Sequence, residues 1–238
     1  MNIFVDALAW IFDPAQYAGS NTLPTLIGQQ LFYTFVSVLI AALIAVPLGW
    51  AIGHTGRGRE VAVAISGAAR AIPSFGLLIL LILLLGVTQK VEAAFVTFVV
   101  LAIPALLAGA YSGIEAIDRR TIDAARAVGM TEWQILFKVE VPLGLPLLIG
   151  GLRSAVLQVV ATVTIAGYTD LGGLGFRIIQ GIDLRAIDQV LGAALVLALL
   201  ALALDAVFAL LQRLSVPRGV RAAPAAPTKR RRPLVATA

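Results

Sequence analysis

The chain has 238 residues, 60% hydrophobic and only 13% charged, with a mean hydropathy of +0.96. A soluble domain carries about 45–50% apolar and about 25% charged residues, so an ordinary soluble enzyme and extensive disorder are both excluded, and a polytopic membrane protein is indicated. With no cysteine and one histidine, His54, there is no thiolate nucleophile and little scope for a bound metal, and the net charge of +5 asks which side of a membrane it occupies.

The first thirty residues contain no Lys or Arg, only Asp6 and Asp13, and Asp6 interrupts the short apolar run, so no cleaved signal peptide is read there. Trp10 and Tyr17 suit an interfacial position outside the membrane. A bilayer core about 30 Å thick needs roughly 20 apolar residues in helix. Five stretches supply them: residues 31–53, 61–87, 93–114, 141–169 and 189–212, whose only charges are Arg70, Arg153 and Asp205. These runs are too long and too uniformly apolar for barrel strands. Pro47, Pro73 and Pro104 fall inside three of them, and membrane helices accept such breaks where they line a path. His54 ends the first span beside Gly53 and is expected at the interface.

The segment between the third and fourth spans differs in kind. Residues 115–140 hold nine charges of both signs. Thr121 is expected to cap a short helix with Asp123 in its first turn; Gly129 suits the position of positive φ that ends it. Thr131 would cap a second helix with Glu132 early and Lys138 late, closed by Pro142, and Trp133 would pack within this elbow or at the membrane surface. On the residues alone, the elbow either docks a partner or merely connects two spans. Further on, Gly172, Gly173 and Gly175 read as a tight re-entrant turn. No GxxxxGK[ST] loop occurs, so the chain is not expected to hydrolyse ATP itself. From Ala222 the tail is Ala/Pro-rich and then basic, expected to be disordered and to act as an orientation signal or a loose contact with anionic lipid.

With five spans, thirteen of the 18 basic residues fall on one side and only Lys90, Arg177 and Arg185 on the other, placing the N-terminus outside and the C-terminus in the cytoplasm. The expected organisation is an external segment (1–28), a transmembrane domain (29–217, elbow 115–142) and a basic cytoplasmic tail (218–238). Asp205 is expected to pair with a base on a neighbouring helix or on the elbow, or else to serve a path or gate. Arg153 and Arg70 are expected to snorkel, to pair or to serve the same path.

Asp123-Ala124-Ala125, three residues, Gly129, nine residues and Val139-Glu140-Val141-Pro142 together resemble the EAA motif of ABC importer permeases, E-A-A-x3-G-x9-I-x-L-P. Asp replaces Glu, Val replaces Ile and Val replaces Leu; the spacing is kept. The strings DAARAVGMTEWQILFKVEVPLGLPLLIGGLRSA, GYTDLGGLGFRIIQGI, LDAVFALLQRLSVPRG and RAIPSFGLLILLILLLG resemble the osmoprotectant branch, and the likeness covers about residues 25–219. It implies an all-α membrane permease subunit in the cell (inner) membrane, forming half of a path for glycine betaine, carnitine or choline. Asp123, Ala124, Ala125, Gly129, Met130 and Pro142 would couple it to ABC ATPase subunits. A second permease subunit, identical or paralogous, and an external substrate-binding protein would complete the assembly, with ATP bound by the partner and no resident cofactor, metal or nucleic acid. A methionine-type amino-acid permease, which shares five spans and the elbow, and an ion-driven secondary transporter are the rival readings.

Overall fold

The computed structural model describes residues 2–217, and all regular structure among them is helical. The expected tail, 218–238, lies outside the described residues. Ten α-helices follow in order: α1 (Ile3–Phe12), α2 (Leu23–Thr55), α3 (Arg59–Ala71), α4 (Ser74–Leu85), α5 (Lys90–Glu115), α6 (Arg119–Ala127), α7 (Glu132–Ile135), α8 (Val141–Ala166), α9 (Gly173–Asp183) and α10 (Ile187–Leu214).

Among the described residues, four helical stretches are long and apolar enough to cross a membrane, and a fifth crossing results if α3 and α4 count as one. The second stretch is therefore not the continuous span expected over 61–87. It bends by 86° between α3 and α4. Proline clashes with a helical residue before it, and Ile72 is extended (φ −73°, ψ 125°) ahead of Pro73. Pro47 and Pro104, by contrast, stay inside continuous helices.

The helix of the first span starts ahead of the apolar run that begins at Leu31: Thr22 accepts the Thr25 N–H and caps α2, which has 33 residues. Trp10 is buried on α1 against α10, where a methyl on Gly192 would come within 2.4 Å of its ring.

Helices α2, α5 and α8 form the centre of the bundle. Lipid tails are as apolar as leucine, so membrane helices associate through small residues that let backbones approach. That device recurs here. A Cβ on Gly109 would lie 2.9 Å from the Gly151 Cα, and one on Gly113 would lie 2.6 Å from the Gly144 carbonyl oxygen. Val38, Ala41, Phe98, Leu106, Val156 and Val159 fill the core around this seam.

At the end of the bundle away from the 115–142 segment, Gln30 is fully buried and ties three helices together. Its amide donates to the Val160 carbonyl (2.9 Å) and accepts the Leu174 N–H (3.2 Å), while Gln29 accepts the Gly173 N–H (3.0 Å). The glycine cluster does make a tight turn, with Gly172 and Gly173 at φ +82° and +71°, but it opens directly into α9, a helix not anticipated from the sequence.

Candidate functional site

The 115–142 segment folds as two helical arms around Gly129. The first arm starts earlier than expected: Asp118, not Thr121, caps α6 by accepting the Arg120 N–H at 2.9 Å. Aspartate outranks threonine as a cap, and Asp123 consequently sits in mid-helix. The arm ends in a Schellman closure. Gly129 takes φ +86° and donates to the Arg126 carbonyl (2.9 Å), and Met130 donates to the Ala125 carbonyl (3.2 Å). This pairing explains the spacing of Ala125 to Gly129, because a left-handed residue four positions on returns the chain to the last free carbonyls.

Thr131 then caps α7, as the sequence implied, and does so in a reciprocal box with Gln134. Pro142 does not close that arm. A five-residue π-turn, Leu136–Glu140, follows α7 and leads straight into α8, with the Val141 N–H bonded to the Leu136 carbonyl. Proline has no N–H and clashes with the carbonyl four residues back; the widened turn absorbs the defect, and the helix runs on from the elbow into the membrane.

A chain of polar contacts binds the elbow to the bundle. Glu140 is 5% exposed, and its carboxylate lies 2.6 Å from His54 Nδ1 at the end of α2. The other ring nitrogen of His54 lies 3.4 Å from Glu132. Glu132 accepts a bidentate pair from Arg126 (2.9 and 3.1 Å), and Arg126 stands 3.7 Å from Asp123. Hydrogen bonding by Glu132 holds the Arg126 guanidinium above its ordinary pKa. Arg59 meets Glu115 at 3.4 Å beside the same cleft of about 400 Å³. On the outer side of the elbow, Trp133 stacks on Phe137 (ring centroids 5.9 Å apart), which meets Trp50 edge-on.

The elbow positions thus fall into two groups. Ala125 is buried and Met130 half-buried, while Asp123, Ala124, Val128 and Trp133 stand exposed. Pro142 is exposed too, at the second position of α8. His54 was expected as a plain interface residue; it is instead the partner of Glu140. The available signal was a single histidine at a span end and an acid inside the otherwise apolar VEVP. In the membrane, Arg153 on α8 and Asp205 on α10 join in a bidentate pair (2.5 and 2.6 Å), which Arg70 does not join.

The sequence family described as "Binding-protein-dependent transport system inner membrane component" matches residues 45–220. Among curated relatives, the osmoprotectant import permease protein OsmW of Salmonella typhimurium is 32% identical, over 91% of this chain and 100% of the relative. The glycine betaine/carnitine/choline transport system permease protein OpuCB of Bacillus subtilis is 29% identical, over 82% of this chain and 88% of the relative. Among solved structures, an inward-facing MetNI methionine ABC transporter has a chain of the same fold, with TM-score 0.73 and 23% identity over 86% of this chain and 99% of that one.

Proposed function

The chain belongs to the family of binding-protein-dependent transport system inner membrane components, and from that premise we propose that it is one of two permease halves of an ABC importer for osmoprotectants. The names of OsmW and OpuCB support the solute class: glycine betaine, carnitine, choline and related quaternary ammonium compounds.

The observation that carries the coupling role is the elbow itself. Its hinge is a left-handed glycine, its outer face exposes Asp123, Val128 and Trp133, and its base is anchored to α2 through His54 and Glu140. A partner that grips the exposed face therefore moves α8 directly, because the second arm is continuous with that helix. ABC ATPase subunits seat on this face. Their closure on ATP draws the two elbows together and opens the path outward, and hydrolysis reverses the motion.

Arg57, Arg59, Arg119, Arg120, Arg126 and Lys138 cluster at the elbow end, which supports a cytoplasmic elbow and an external N-terminus. An external binding protein delivers the solute, and a second permease copy or paralogue supplies the other wall of the path. An ion-driven carrier would need a free intramembrane acid; Asp205 is engaged by Arg153.

The test is coexpression with the ATPase and binding-protein subunits, followed by purification and ATP-driven uptake of labelled glycine betaine into proteoliposomes. Gly129→Val and Asp123→Lys are expected to reduce both ATPase retention and uptake. Survival of both in either variant, or uptake without any ATPase subunit, would refute the reading.

A further inference from the structure

One intramembrane charge takes no part in these pairings. Arg70 stands exposed on the last turn of α3, and among the described residues its guanidinium has no ion-pair or hydrogen-bond partner. Its depth follows from its neighbours. Helix α3 starts where Arg59 meets Glu115, at the elbow end of α5, and runs back along α5 until Arg70 and Ser74 share a cleft with Leu101 and Pro104. Eleven residues of helix separate Arg59 from Arg70, about 16 Å, which puts Arg70 near the middle of a bilayer core about 30 Å thick.

The cleft measures about 570 Å³, and α8 contributes Ser154 and Gln158 to it. These two lie one turn apart on an exposed line of α8 that continues through Ala161 and Ile165. Next along the chain Tyr168 packs on Phe75 with ring centroids 5.7 Å apart. A cation and an amide facing lipid at mid-depth would be costly. Lining a hydrated path between two permease subunits removes that cost.

We propose that this cleft reads the carboxylate of the passing solute. Arg70 takes the carboxylate through its planar fork of donors, and the Gln158 amide adds another. The same guanidinium repels a cation that lacks a carboxylate. The preferred cargo is therefore a zwitterion that joins a quaternary ammonium to a carboxylate, as betaines and carnitine do, over choline. This inference rests on the proposed import of osmoprotectants.

The test uses the full importer in proteoliposomes with its binding protein held at a fixed, saturating concentration. Uptake of labelled glycine betaine and choline is compared for wild type, Arg70→Gln and Arg70→Lys. Loss of a charge-assisted bidentate contact predicts about a tenfold to hundredfold fall in betaine uptake for Arg70→Gln. Choline uptake should not fall, and Arg70→Lys should recover much of the betaine rate. Equal losses for both solutes, no recovery with lysine, or an unchanged betaine rate would overturn the carboxylate role and leave the importer reading standing. Wild-type uptake of choline without betaine would do the same. Wild-type uptake of neither solute would overturn the osmoprotectant reading, and the role of Arg70 with it.

Discussion

Removing the His54 ring tests the anchor of the elbow. Glu140 is 5% exposed and its carboxylate has one close partner, His54 Nδ1 at 2.6 Å. Removing one partner of a buried hydrogen bond leaves the other unsatisfied, at a cost of about 1–3 kcal/mol. Glu140 is almost wholly enclosed, which places His54→Ala near the upper end, about 3 kcal/mol. At about 2–4 °C per kcal/mol, the melting temperature should fall by about 6–12 °C. Trp50 and Trp133 flank the site, so intrinsic fluorescence in detergent reports the melt. Replacing both partners removes the orphaned polar group as well as the contact. The double variant His54→Ala/Glu140→Ala should therefore melt closer to wild type than His54→Ala alone. A single variant that melts within about 2 °C of wild type, or a double variant that melts below it, would refute the anchoring role.

Four further outcomes are expected. Gly113→Ala drives a methyl to 2.6 Å from the Gly144 carbonyl oxygen and should cost about 1–3 kcal/mol or more in a melt, whereas Gly28→Ala, with open space around it, should be neutral or slightly stabilising. At Gly129, φ +86° ranks substitutions Gly > Asn > Ala > Val for ATPase retention in pull-downs, with about 1–2 kcal/mol between Gly and Ala. Arg153→Ala and Asp205→Ala should each lower the yield of folded protein on size-exclusion chromatography more than the charge swap Arg153→Asp/Asp205→Arg does. Because the chain has no native cysteine, single-cysteine labelling is clean: Val128→Cys should react with an impermeant maleimide only from the cytoplasmic side and Leu184→Cys only from outside.

The long apolar runs near residues 93–114, 141–169 and 189–212 were legible in the sequence, because a run with almost no charge has no stable place except a membrane or a core, and its length matches the bilayer. The Gly129 hinge and the Thr131 cap were legible for a local reason: each depends on one residue's own backbone or side-chain preference. Tertiary structure decided what depends on partners distant in sequence. Two prolines remain inside continuous helices and Pro73 breaks one, though all three look alike in sequence. Trp10 is buried because Gly192 leaves room for its ring. Arg153 finds Asp205 and His54 finds Glu140 across 52 and 86 residues of chain. Periodicity and composition describe one segment at a time; a buried charge is settled by whatever the neighbouring helix places opposite it, and only the packed bundle makes that choice.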